Sequence, residues 1–167
     1  MATAETAGPR PNPRRLLHFL ACGLGSGLIR PAPGTWGSLA AIPFILALQG
    51  LSTPLYALIL IIATVFGIWV CQRVSEDLGV DDHPAIVWDE FVGMGFALMC
   101  LPVDHLWIGA AIGFCLFRFF DIVKPGPVRW LDRNLTGGLG IMLDDVLAGI
   151  FAGISLQLGF MAWASMV

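Results

Sequence analysis

Charge is what this chain has least of. Only 13% of its 167 residues are Asp, Glu, Lys or Arg, where an ordinary soluble domain carries about 25%. A net charge of −3, with no basic helix and no aromatic–basic platform, excludes nucleic acid as a partner. His18, His83 and His105 stand far apart, and Cys22, Cys71, Cys100 and Cys115 lie in or beside apolar runs without metal-type spacing. This argues against a soft transition-metal centre and against disulfides, and reads the thiols as small buried hydrophobes. No internal repeat is visible, and nothing calls for an obligate protein partner.

Apolar residues take the place of charge. They make up 57% of the chain, with a mean hydropathy of +0.81. A chain this short cannot bury so much apolar surface within itself. The expectation is an all-α, polytopic membrane protein of about four to five apolar helices. Residues 1–15, rich in Ala, Pro and Arg, predict a flexible tail, and 16–167 a single helical membrane domain. Arg14-Arg15 ahead of Leu16–Cys22 imitates a signal sequence. Its apolar part is only about six residues and His18 interrupts it, short of a hydrophobic region of about 7–15.

The apolar runs 38–50, 54–72, 88–103, 106–120 and 146–166 predict the spans. Two of them, 38–48 and 106–120, fall below about 17 residues and suit re-entrant or tilted helices. Arg10, Arg14, Arg15 and Arg30 put the N-terminus in the cytoplasm by the positive-inside rule. The loops 23–37, 73–89 and 121–145 then share the cytoplasmic face, while the outer turns 50–53 and 104–105 carry no Lys or Arg. Gly109 with Gly113, Ala148 with Ala152 and Gly149 with Gly153 have the spacing of closely packed membrane helices.

The scarce charge is concentrated. Four of the nine basic and four of the twelve acidic side chains fall between Arg118 and Asp145. Asp89, Glu90, Asp121, Asp144 and Asp145 all sit at or inside the ends of apolar runs, where a carboxylate is costly and normally has a partner and a role. Clustered carboxylates need compensating cations. An all-oxygen donor set suits Mg²⁺, which takes one or two carboxylates together with phosphate oxygens and water. The plainer reading is ion pairing, Arg118 with Asp121 at i,i+3 and Asp132 among Arg129 and Arg133 on a short helix from Pro127. Arg118, Lys124, Arg129 and Arg133 suit phosphate, and equally an anionic leaflet surface.

The segment 23–38 holds five glycines and two prolines, which predicts a loop followed by a helix from about Ser38. It is either a membrane-boundary turn, which its shape favours, or an anion-holding loop. No strand pattern precedes it, which argues against a dinucleotide site. Carboxylates, basic groups and an adjoining bilayer together describe a site for a phosphorylated lipid, with metal-assisted phosphoryl transfer or hydrolysis as its chemistry. Other phosphatase designs are absent: there is no Cys-x5-Arg loop, no Asp-x-Asp-x-Thr motif, and no histidine in a phosphatase-like setting.

Three long motifs carry a family likeness. They are Gly25-Ser26-Gly27 through Pro33-Gly34-Thr35-Trp36-Gly37-Ser38-Leu39-Ala40; Ile86-Val87-Trp88-Asp89-Glu90-Phe91-Val92-Gly93-Met94; and Phe117-Arg118-Phe119-Phe120-Asp121-Ile122, continued by Lys124-Pro125, Arg129, Asp132-Arg133 and Gly137 to Asp145. In these, and from about Gly23 to the C-terminal helix, the chain resembles the phosphatidylglycerophosphatase A family. The resemblance implies a helical, Mg²⁺-dependent enzyme of the bacterial inner membrane that converts phosphatidylglycerophosphate to phosphatidylglycerol. The candidate catalytic and metal-ligating set is Asp89, Glu90, Asp121, Asp144 and Asp145. The candidate substrate set is Arg118, Lys124, Arg129 and Arg133, with Ser26, Gly34 and Thr35 of the glycine loop capping the phosphate. Membrane lipids are the other expected partner. The rival classes are a small ion- or proton-coupled carrier, which also uses intramembrane carboxylates, and a non-catalytic scaffold for anionic lipid.

Overall fold

The computed structural model describes residues 9–166, and helices dominate it. α1 is Leu16–Ala21, α2 Pro33–Leu48, α3 Thr53–Leu78, α4 Trp88–Ala97, α5 Leu106–Val123, α6 Pro127–Asn134 and α7 Gly137–Ala164, with short 3-10 turns at Gly23–Leu28 and Val103–His105. The described residues contain no strand, as an all-α expectation requires. α7 is the central post, packed against α3, α4, α5 and α6, while α2 lies against α4 and α5.

Three helices, α3, α5 and α7, are long and apolar enough to cross a membrane. At 1.5 Å per residue they reach about 39, 27 and 42 Å, against a hydrocarbon layer of about 30 Å. α2 is shorter and apolar. Outward-facing Ile61, Ile62 and Val65 on α3, Ile108 on α5 and Ile154 and Leu158 on α7 give the bundle an apolar exterior. That exterior is what a lipid-embedded helix presents. The protein is thus a polytopic helical membrane protein.

Several boundaries depart from the sequence expectation. α2 starts at Pro33 rather than Ser38, because proline suits the first helical turn, where its missing N–H costs nothing. α3 runs on past residue 72 to Leu78; Arg73 and Glu76 pair across one turn at 3.3 Å, so the polar residues there extend the helix. The expected span 88–103 is a helix only over Trp88–Ala97, about 15 Å long. A continuation through Pro102 would drive its ring against the Leu98 carbonyl, and that carbonyl instead accepts from Gln49 Nε2 at 2.8 Å. The apolar run 146–166 is the later part of α7, which begins at Gly137, where its first N–H groups have side-chain acceptors. Asp81 takes Gly137 N–H at 3.1 Å and Gln72 takes Gly138 N–H at 2.8 Å.

The expected tail, 1–15, lies outside the described residues over 1–8. Its remainder is tied down: Pro11 is buried, Asn12 N–H donates to His18 Nδ1 at 3.1 Å, and Arg15 pairs with Asp77 at 3.1 Å. All four cysteines are free, but only Cys22 and Cys71 are buried; Cys100 and Cys115 face outward.

The bundle has two distinct ends. The turns after α2 and α4 share one, joined by the Gln49–Leu98 hydrogen bond. The other gathers the 3-10 turn at 23–28, the starts of α2, α4 and α7, the loop 79–87, the end of α5, and α6. Val87 N–H donating to Ala21 O at 2.8 Å, and the Asp81–Gly137 bond, tie these segments together. What aligns the starts of α4 and α7 is a backbone crossing. The Gly93 carbonyl lies directly against Gly149, and a Cβ on Gly93 would sit 2.6 Å from the Phe117 ring and 2.8 Å from the Asp145 carbonyl. Gly149→Leu is expected to wedge the two helices apart at a cost of about 1–3 kcal/mol, read as a lower thermal midpoint in detergent.

Candidate active site

The first turn of α4 carries Asp89 and Glu90, where the helix dipole favours negative charge. Trp88 anchors that turn by donating Nε1–H to Ala63 O on α3 at 3.1 Å. Two turns into α7, Asp144 and Asp145 are buried. α5 brings Arg118 and Asp121 one turn apart, and Lys124 follows at its C-terminus.

Two cations each clamp two carboxylates. Arg118 Nη1 donates to Glu90 Oε1 at 3.1 Å, forms an ion pair with Asp121 Oδ2 at 2.8 Å, and lies 3.5 Å from Ser38 Oγ. Lys124 Nζ, the chain's one lysine, donates to Asp132 Oδ1 at 2.7 Å and to Asp144 Oδ2. Burial works against the ammonium, but the hydrogen bonds from Asp132 and Asp144 outweigh it and hold its pKa above the ordinary range. Asp89 and Asp145 have no cation partner among the described residues. Asp89 is within electrostatic reach of Glu90, Asp82 and Asp144, and Asp145 of Asp89, Asp121, Asp144 and Glu90.

The structure therefore brings together all five predicted acids, with Arg118 and Lys124. It adds two that the sequence reading passed over, Asp82 and Asp132. Seven carboxylates then face two cations, and such a cluster cannot be fully ionised without further positive charge. Asp89 Oδ1, Glu90 Oε2, Asp144 Oδ1 and Asp145 Oδ2 are buried without a hydrogen-bond partner, as is Arg118 Nε. Buried polar atoms are rarely left so, because each costs about 1–3 kcal/mol. Yet among the described residues no three His, Cys, Asp or Glu side chains close around one point as a metal cage. The five acids are thus not arranged as a closed carboxylate cage among the described residues.

A polar cavity of about 80 Å³ opens beside the cluster, lined by Asp81, Asp82, Asp132, Thr136, Gly137 and Asp144. Asp82 is exposed, yet the protein packed on its other side raises its carboxyl above the usual range; Lys124 opposes this, and Asp132 and Asp81 add to it. A larger cavity of about 340 Å³ between α5 and α7, lined by Ile108, Ile112, Leu156 and Phe160 among others, contains none of these carboxylates.

The model of the phosphatidylglycerophosphatase A family matches residues 19–160. This chain belongs to the phosphatidylglycerophosphatase A family. The phosphatidylglycerophosphatase A of Escherichia coli K12 is 49% identical over 143 residues, covering 85% of this chain and 83% of its own. That of Haemophilus influenzae Rd is 50% identical over 140 residues, covering 83% and 85%. A Bacteroides thetaiotaomicron relative, named for phosphatidylinositol-3-phosphatase activity, is 39% identical over 149 residues, covering 85% and 92%. No solved structure matches. Membership makes the chain a lipid phosphatase, and a carrier or a non-catalytic scaffold no longer describes it.

Within this phosphatidylglycerophosphatase A family fold, the remaining predicted residues divide. Ser26 Oγ donates to the Gly23 carbonyl at 2.7 Å and closes its own turn. Thr35 is half-buried on the first turn of α2, its N–H bonded to Ala32 O at 3.0 Å. Gly34 abuts the Glu90 carboxylate and Arg118. On α6, Val128 faces inward, whereas Arg129 and Arg133 are exposed and form no ion pair among the described residues. Arg129 donates to the Val123 carbonyl at 3.0 Å instead. Sequence reasoning left out Asp82 because 73–84 reads as a solvated loop; the signal was its closeness to the Trp88-Asp89-Glu90 motif. It also missed Ser38, fully buried and donating to Gly34 O at 2.8 Å.

Two outcomes follow from this geometry. Arg118→Ala leaves Glu90 and Asp121 without their shared cation and is expected to destabilise the fold by about 3–5 kcal/mol, measured by unfolding in detergent. His83 is buried beside Asp82, its Nδ1 accepting Ala85 N–H at 3.1 Å. Burial, and then the Arg30 charge, hold its imidazole below the ordinary range. The unfolded chain therefore takes up the proton first, so stability should fall as pH drops below about 6.5. His83→Gln should flatten the dependence of the thermal midpoint on pH between about 7 and about 5.

Proposed function

We propose that this protein hydrolyses the phosphate monoester of phosphatidylglycerophosphate, giving phosphatidylglycerol and inorganic phosphate, with Mg²⁺ as cofactor. The observation that carries the reading is the set of four buried, unpartnered carboxylate oxygens at the crossing of α4 and α7, at one end of a membrane bundle. The substrate comes from the names of the Escherichia coli and Haemophilus influenzae relatives.

The donors are all oxygen, and Mg²⁺ usually keeps several waters while taking one or two carboxylates and the substrate's phosphate. An open site suits that habit. Asp89 and Asp145 are the pair to hold it, since Arg118 already compensates Glu90 and Asp121, and Lys124 compensates Asp144. Bound there, the metal would neutralise charge developing on the phosphoryl group. Arg118 and Lys124 add fixed positive charge on either side. A carboxylate of the cluster accepts a proton from the attacking water as its oxygen bonds to phosphorus; the ester P–O bond breaks, and the departing glycerol oxygen takes up a proton. Phosphate enters a site this acidic only with such compensation.

The same orientation logic assigns the site to the cytoplasmic face of a bacterial inner membrane. Arg14, Arg15, Arg30, Lys124, Arg129 and Arg133 lie at the site's end, and the turns 49–52 and 98–105 at the far end contain no Lys or Arg.

Phosphate release by the purified protein, from phosphatidylglycerophosphate and from phosphatidylinositol 3-phosphate, tests the reading. The first should be the better substrate by kcat/KM, and excess chelator should abolish turnover until Mg²⁺ is restored. Full activity in chelator removes the metal, and preference for the inositol lipid removes the substrate. Asp89→Asn and Asp145→Asn should each lower kcat by about a hundredfold or more while the protein remains folded.

A further inference from the structure

The most unusual contact in the site is made by residues with no side chain. Glu90 lies across the first turn of α2, one carboxylate oxygen toward each of two glycines. A Cβ built on Gly34 would collide with Glu90 Oε1, and would lie 2.9 Å from its Cδ and 3.0 Å from Arg118 Nη1. A Cβ built on Gly37 would collide with Oε2, and would lie 2.7 Å from Val87 Cβ. Ser38, on the next position, is fully buried, bonds back to the Gly34 carbonyl at 2.8 Å, and lies 3.5 Å from Arg118 Nη1.

We infer that the Pro33–Ser38 turn is a positioning device: Gly34 and Gly37 form a bare backbone cradle that fixes the Glu90 carboxylate, and through it the Arg118 guanidinium. The geometry leaves little else for this turn to do. Both glycines have ordinary helical backbone, since neither is among the positive-φ residues, so conformation does not require glycine at either place. Glycine also lowers helix stability by about 1 kcal/mol relative to alanine, so two in one turn are a cost, and the space they leave is filled by Glu90. Held this way, Glu90 keeps Oε1 on Arg118, while Oε2, set against Gly37, has no hydrogen-bond partner. Arg118 in turn holds Asp121. A motif that looks from sequence like a phosphate-capping loop thus acts one residue removed from any substrate, by setting where a carboxylate and a guanidinium stand. The inference rests on the candidate active site, not on which lipid it serves.

A double-mutant cycle tests it without reference to the reaction. Gly34→Ala should lower the thermal midpoint by about 4 °C or more. In a Glu90→Asp background, where the carboxylate is one methylene shorter, the same change should cost less than half as much. Should Gly34→Ala alone fail to fold, Gly34→Ala with Glu90→Ala should fold, since the colliding group is gone. Additive effects on the midpoint, or failure of both to fold, overturn the cradle. In turnover, Gly34→Ala should lose at least about tenfold in kcat with KM little changed, and Gly34→Ala/Glu90→Asp should exceed Gly34→Ala. Wild-type kcat in Gly34→Ala also overturns it. An inactive wild type on phosphatidylglycerophosphate would instead count against the proposed substrate and leave the midpoint cycle to decide the cradle.

Discussion

The touching backbones of α4 and α7 at Gly93 and Gly149 are the constraint on which the site depends. In lipid there is little hydrophobic gain from bringing two helices together, so close approach must come from packing and from small residues. Here the crossing lies one turn beyond Asp89-Glu90 on α4 and one turn beyond Asp144-Asp145 on α7. Two acidic pairs are therefore held face to face by van der Waals contact farther along the helices, not by any attraction of their own. Phe117 of α5 packs into the same crossing, which carries Arg118, the next residue, into the space between them.

Electrostatics makes that arrangement expensive. Arg118 and Lys124 each bridge acids on different elements, so each cation is also a strut: Arg118 ties α5 to α4, and Lys124 ties the end of α5 to α6 and α7. The remaining negative charge is not compensated by side chains of the site, and four carboxylate oxygens are left without donors. The fold thus holds its acids together at the cost of leaving those oxygens unsatisfied.

Much of this was legible in the sequence, because the two strongest signals are local. Long apolar runs mark helices regardless of their neighbours, and rare charges in such a setting mark the site. All five acids, Arg118 and Lys124, which stand near one another in the structure, were singled out that way. What escaped was non-local. The capping of α7 was not visible because its acceptors, Asp81 and Gln72, come from elsewhere in the chain. α4 was extended too far because a hydrophobic run does not reveal where a buried chain turns. Arg129 and Arg133 resembled Arg118 in composition but fall on the outer side of α6. Gly34 was read as capping a phosphate, whereas in the structure it abuts the Glu90 carboxylate and Arg118.

The brevity of α4 has a further consequence. At about 15 Å it is half as long as a hydrocarbon layer is thick, and the chain beyond it is tied down: Leu98 and Leu101 are buried, the Leu98 carbonyl is bonded to Gln49, and that of Cys100 to Gln157. α4 and the buried turn that follows it thus form a plug between the longer helices, with the acids at one end of the plug and bonded carbonyls at the other.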